Sequence, residues 1–253
     1  MILVLGGTAE SKSLAEQLLA AGFPVLLSTA TSYGARLASE TGAEVVWGRL
    51  DGNELVELMI SRDIRAVVDA SHPFAENVSA NARRACASGN VKYIRFKRKE
   101  QALPGYPLLH SVNGYKEAAE LAVRLGDIIF LTTGSKTADI FIGAATTAGK
   151  RLVIRILPDP GVIERLTGLG VDAGDIVAMR GPFGYELNLA LFQHYRADVL
   201  VTKESGAEGG QDKKLASAVA LSMPVVLIRR PPEPAEALDS IDGIIEKLRQ
   251  LAL

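Results

Sequence analysis

Several short segments of the chain collect residue types that bind or transform small molecules. The first is Gly6-Gly7-Thr8-Ala9-Glu10-Ser11, directly after an apolar run. Its two glycines let the backbone approach a phosphate, and Thr8 can cap a helix or donate to a phosphate oxygen. The spacing is not GxGxxG, and the same residues suit a tight turn that binds nothing. Asp69-Ala70-Ser71-His72-Pro73-Phe74-Ala75 is the second. Pro73 suits the first turn of a helix, which would leave Ser71 and His72 at its mouth. An imidazole there can donate a proton or hold a carboxylate, or simply cap a loop.

Three further segments carry hydroxyls and cations: Thr132-Thr133-Gly134-Ser135-Lys136, Met179-Arg180-Gly181-Pro182-Phe183 and Thr202-Lys203-Glu204-Ser205-Gly206. A guanidinium at position 180 can pair with a substrate carboxylate. The lysine, carboxylate and hydroxyls of 202–206 suit a binding loop, or a surface ion pair. His110 and His194 read as structural or surface residues, and three scattered histidines with one cysteine lack the spacing of a metal site.

These segments need elements to hold them in place. Short β-branched runs alternate with helical periods along the whole chain, the pattern of βα units on parallel sheets. Strands are predicted at 2–5, 24–29, 44–47, 66–70 and 92–96, and again at 128–132, 152–156, 176–179, 198–202 and 224–228. Apolar stripes Leu14/Leu18/Ala21, Leu55/Leu58/Met59, Phe74/Val78/Ala82/Ala85 and Ala118/Leu121/Ala122/Leu125 mark helices between them. Each polar segment then follows a strand, on the sheet edge where such folds hold ligands.

The stretch 97–114 holds a charge cluster and then Pro104-Gly105-Tyr106-Pro107, and is expected to be irregular. A boundary near residue 98 divides the chain into a dinucleotide-binding domain, 1–98, and a substrate domain, 99–253. A last helix near 239–251 is free to pack on either. The fold class is therefore α/β, with two Rossmann-like domains, mainly parallel sheets and an active site in the cleft between them.

Ser28-Thr29-Ala30-Thr31-Ser32 closes the second predicted strand without the acid that usually bonds an NAD ribose. Hydroxyls here, with Arg36 or Arg49 for charge, favour NADP over NAD, although a plain polar loop would look the same. The missing acid also weakens a Rossmann methyltransferase. No GxxxxGK[ST] loop and no G-x-S-x-G elbow occurs.

The 253 residues allow one large or two modest domains, and 48% hydrophobic with 23% charged residues is ordinary globular composition. The 28 basic side chains nearly cancel the 29 acidic ones, which excludes a nonspecific nucleic-acid binder. Lone Cys86 excludes an internal disulfide and suits a reducing cytoplasm. No run approaches the roughly 20 apolar residues of a membrane span, and the start of the chain has no positive region that would mark a signal peptide.

The segments 5–11, 69–75, 132–134, 180–183 and 202–206, with the closing Arg229-Arg230-Pro231, together resemble the precorrin-6A reductase family of cobalamin biosynthesis. Their order and spacing cover nearly the whole chain. The resemblance implies reduction of one macrocycle double bond in precorrin-6A, or its cobalt form, by NADPH or NADH. Gly6, Gly7, Thr8 and Glu10 would cradle the dinucleotide, with Ser28, Thr29, Thr31 and Arg49 near the adenosine ribose and Ser71 and His72 near the nicotinamide. Thr133, Gly134, Ser135, Lys203, Glu204 and Ser205 would face the substrate, whose carboxylates Lys203, Arg180 and the 97–99 cluster would hold. His72 or Lys203 would supply a proton. The expected protein is a monomer or small homo-oligomer; a non-catalytic dinucleotide-binding regulator is the alternative from another class.

Overall fold

A computed structural model describes residues 1–30, 32–98, 102–206 and 209–251. The chain forms two compact units, Met1–Lys99 with Pro232–Leu253, and Glu100–Pro231.

The first unit alternates β1 (Ile2–Gly6), α1 (Ala9–Ala20), β2 (Val25–Thr29), α2 (Ser32–Ser39), β3 (Glu44–Trp47), α3 (Gly52–Ser61), β4 (Ala66–Asp69), α4 (Glu76–Gly89) and β5 (Lys92–Arg95). All pairings are parallel, in the order β3-β2-β1-β4-β5. β1, β2 and β4 read as continuous apolar runs because helices cover both faces of the sheet. One face packs Ile2, Val4 and Val68 with Leu14 and Leu18 of α1; the other packs Leu3, Leu5 and Val67 with Leu55, Met59 and Cys86.

Two local expectations fail here. Pro73 does not open a helix: residues 72–75 form a turn closed by Ala75 N–H donating to the His72 carbonyl at 2.7 Å, and α4 starts at Glu76. The buried stripe of α4 is Ser79, Ala82, Ala85 and Cys86, with Val78 exposed, because the turn rotates the helix away from the phase that Phe74 suggests.

The second unit runs β6 (Leu109–Val112), α5 (Tyr115–Leu125), β7 (Ile128–Leu131), α6 (Ala138–Ala148), β8 (Arg151–Ile156), α7 (Pro160–Gly168), β9 (Ile176–Ala178), α8 (Tyr185–His194), β10 (Val199–Lys203), α9 (Gln211–Ala220) and β11 (Val225–Ile228). Its parallel order is β6-β11-β10-β7-β8-β9. β6 corrects the expectation of irregular structure over 97–114. It is a four-residue edge strand, LHSV, too short for a pattern and held by its pairing with β11.

Counted from its first central strand, each sheet has the Rossmann order 3-2-1-4-5, and the second adds β6 at its edge. The order in which strands are added therefore reverses between β1 and β4, and again between β7 and β10. The last helix, α10 (Ile241–Gln250), lays Ile244 and Leu248 into the core that holds Leu14 and Leu18, so it belongs to the first unit.

Candidate functional site

Ligands of open parallel sheets sit beyond the strand carboxyl ends at such switch points. At the first, β1 ends in Gly6, where an added Cβ would lie 2.2 Å from Ser11 Cβ. Only glycine lets α1 start this close to the strand. Gly7 then takes φ +133°, a backbone region that side chains rarely adopt. Ser11 organises the turn: its Oγ accepts from Gly7 N–H at 2.8 Å and Thr8 N–H at 2.9 Å, and donates to the Thr8 carbonyl at 2.8 Å. Those two amides are thus spent within the protein. A crevice brings Gly7 and Thr8 together with Thr29 and Gly34.

Ser28 and Thr29 are buried at the end of β2, and Thr29 is level with Gly6. Gly48, just after β3, donates its N–H to the Thr29 carbonyl at 2.9 Å, so the next residue, exposed Arg49, starts beside the end of β2. Thr31 lies outside the described residues. Glu10 pairs with Arg98 at 2.6 Å, which ties one member of the 97–99 cluster to the first unit; Lys99 is also outside the described residues. The glycine pair, the helix terminus and an acid-free second strand end fit a phosphorylated dinucleotide.

Across the switch point, Ser71 and His72 follow β4. His72 Nδ1 accepts from Phe74 N–H at 3.2 Å, which leaves Nε2 as the nitrogen that carries the proton of the neutral ring. Beneath this turn is a buried ionic network that the sequence reading missed. Arg95 Nη1 lies 3.0 Å from Asp69 Oδ1 and donates to the Asp69 carbonyl, the Ser71 carbonyl and Ser71 Oγ at 3.2–3.3 Å. Its Nε and Nη2 grip Glu233 at 2.8 Å each. Tyr93 hydroxyl donates to Asp69 Oδ2 at 2.7 Å. Burial alone would raise the Asp69 pKa, but Arg95 and the hydrogen bonds from Ser71, Ser79 and Tyr93 outweigh it and hold the carboxyl low. Tyr93 and Lys97 have Tyr-x-x-x-Lys spacing, yet Tyr93 lies on a strand and serves Asp69, so they do not form a helix-borne dehydrogenase pair.

The second switch point lies between β7 and β10, where Leu131 pairs with Val201. Thr132 Oγ1 donates to the Val201 carbonyl at 3.0 Å. Thr133 is buried, Gly134 takes φ +82°, and the Ser135 carbonyl accepts from Arg165 at 2.6 Å. Lys203 ends β10 half-buried, its pKa lowered to about 8 by burial and by nearby Lys136. Glu204 turns to its own unit: its carboxylate accepts from Arg230 N–H at 3.1 Å and lies 3.7 Å from Arg230 Nε. Ser205 is buried, and Gly209 must be glycine because a Cβ would fall 2.3 Å from Ser205 Oγ. Arg180 is exposed in the loop after β9, next to the cis Gly181-Pro182 bond.

The carboxyl edge of this sheet thus carries Lys136, Arg180, Lys203, Arg229 and Arg230. Glu204 is engaged with the last of these. This local excess coexists with a net charge of −1. Among the described residues no group of His, Cys, Asp and Glu could hold a metal ion, and no helix is long and apolar enough to cross a membrane.

Fold and switch points define the class: an α/β protein of two Rossmann-type units, each with a polar site at its strand ends. The chain belongs to the family described as precorrin-6x reductase CbiJ/CobK, which it matches over residues 1–249. It is 41% identical to a cobalt-precorrin-6A reductase of Salmonella typhimurium, over 91% of this chain and 87% of that one. It is 35% identical to a precorrin-6A reductase of Rhodococcus erythropolis, over 96% and 95% of the two chains. A solved structure titled CobK precorrin-6A reductase superposes with a TM-score of 0.80 at 27% identity, over 99% of this chain and 96% of that one.

Proposed function

We propose that this protein reduces one double bond of the precorrin-6A macrocycle, in its cobalt-bearing form, with NADPH as electron donor. The observation that carries the reading is the pairing, within one family member, of a glycine turn at one switch point with a cationic, hydroxyl-lined strand edge at the other. Four relatives named for the cobalt form match at 34–41% identity. Cobalt would arrive held by the ring nitrogens, so the absence of a ligand set among the described residues is no obstacle.

In this reading the N-terminus of α1 receives the dinucleotide phosphates, with Gly6 and Gly7 keeping the turn tight enough for their approach and Thr8 capping the helix beside them. Ser28, Thr29 and Arg49 stand where a ribose 2′-phosphate is met, which favours NADPH over NADH. The bound nicotinamide supplies a hydride. Ser71 and His72 hold the nicotinamide end of the site, on a turn made rigid from below by Arg95 and Asp69. Lys203, Arg180 and the hydroxyls of Thr133, Ser135 and Ser205 hold the acid arms of the substrate. Reduction of a conjugated ring system leaves electron density on nitrogen, and the Lys203 ammonium, with its pKa brought to about 8, is placed to return a proton. Work in the cytoplasm, as a monomer or small homo-oligomer, completes the reading.

The test is anaerobic incubation of the protein with precorrin-6A or its cobalt form and either NADPH or NADH, following cofactor absorbance near its reduced band. Oxidation of NADPH with the cobalt pigment is expected. No oxidation of either cofactor with either pigment would sink the reading.

A further inference from the structure

Beneath the strand ends of the second unit lie two cations that the site as described leaves without a role. Lys214 on α9 is 6% exposed, and among the described residues its ammonium has one acceptor, Thr202 Oγ1 at 3.0 Å. Arg155 near the end of β8 is 7% exposed. It donates from Nη1 to Asn188 Oδ1 at 2.8 Å, and its guanidinium lies 4.1 Å from the Phe183 ring centre. An ammonium carries three donors and a guanidinium five, so among the described residues most of these donors meet no acceptor of the protein itself. Among the described residues the ion pairs include none with either side chain; the most enclosed ones belong to Arg95, Arg98 and Arg230.

The two cations also repel each other. Arg155 and Lys203 both disfavour charge on Lys214, and Lys136 disfavours it on Lys203. Four positive side chains thus run from the core to the sheet edge, from Arg155 and Lys214 to half-buried Lys203 and exposed Lys136. Thr133 stands on the adjoining strand end, 5% exposed, and its buried Oγ1 has no hydrogen-bond partner among the described residues. Replacing buried charges by apolar side chains of like volume is commonly neutral or stabilising, so such a cluster works against the fold. Strain of this kind is characteristic of binding sites arranged in advance of their ligand.

We propose that Arg155 and Lys214 are positioning charges of a carboxylate subsite at the strand ends of the second unit, where Lys203, Lys136 and Thr133 receive one acid arm of the tetrapyrrole. The identity of the ligand rests on the reductase reading. Lys203 and Lys136 make the contact. Arg155 and Lys214 act through them, from a depth where water and salt screen their field little. The subsite would favour a substrate with charged arms over a neutral analogue.

Wild-type protein, Lys214→Met and Lys136→Ala are compared by anaerobic equilibrium dialysis against cobalt-precorrin-6A, by dialysis against NADPH, and by thermal melting. Lys214→Met is expected to melt several degrees higher, to bind the pigment about tenfold more weakly and to bind NADPH within about twofold of wild type. Exposed Lys136→Ala is expected to melt as wild type does and to bind the pigment a few-fold more weakly, with a shallower salt dependence. A Lys214→Met protein that melts lower and keeps its pigment affinity makes the lysine merely structural and overturns the proposal. So does a loss that falls on NADPH instead, or wild-type pigment affinity in both variants. If Lys214→Met does not fold, Lys136→Ala decides alone. Wild-type protein that binds pigment but oxidises no cofactor defeats the reductase reading and leaves the subsite standing.

Discussion

Single side chains in this protein have consequences that their neighbours set. Gly6 is held to glycine by Ser11, so Gly6→Ala should destabilise by about 1–3 kcal/mol through overpacking and weaken cofactor binding in the same variant. Denaturant melts with a cofactor titration would check both. Lys203 is tuned by burial and by Lys136 to about 8, so a step that needs its ammonium should slow as pH rises through that value. The Lys203→Met variant should lose that alkaline limb, and a pH profile of kcat that keeps it would remove Lys203 as proton source. Burial, with Arg155 and Lys203 nearby, pushes the Lys214 pKa down to about 7 in the folded state from the 10.5 of an ordinary lysine. Between those values the unfolded chain binds more protons, so the stability of the folded state falls as pH drops from 10.5 towards 7. Lys214→Met should therefore gain most over wild type near pH 7 and progressively less towards pH 10, measured by urea unfolding across that range.

At the level of elements, the Ser71–His72 turn owes its position to strand β5 and to the segment before α10. Asp69→Asn would leave Arg95 with Glu233 but without its buried countercharge, and should cost about 3 kcal/mol in chemical denaturation. The Asp69 carboxyl is held low, so the stability it supplies is present above its ordinary pKa and is lost as pH falls through the lower folded value. Much of this architecture was legible in the sequence. The apolar runs of β1, β2 and β4 and the polar turns after them are local signals, and β3 was placed at its observed limits, Glu44–Trp47. β6 was not legible, because its structure comes from β11 and two prolines precede it. Arg95 and Glu233 escaped for the same kind of reason: they stand 138 positions apart, and only the fold joins them. Lys214 had a faint signal. It shares a helical phase with Leu215 and Ala218, an unusual place for a solvated lysine. The turn amides spent on Ser11 could not be read from residue types at all.

On the scale of the whole molecule, the first unit is built from both ends of the chain, with the second inserted after β5. Ile244 and Leu248 of α10 complete the core around Leu14 and Leu18. A chain ending at Pro231 should keep the hydrogen-exchange protection of β7, β8 and β10 while β1 and β2 lose theirs; uniform loss in both sheets would contradict the division. The same arrangement has a consequence for how the protein is made. On a ribosome the residues of β1 and α1 emerge before the whole of the second unit, and the helix that covers them emerges after it. The second unit is complete in sequence by Pro231 and can fold while the first still waits. Assembly during translation then runs against the usual amino-to-carboxyl order, and the apolar face of α1 stays open to chaperones, or to wrong partners, until α10 has been made.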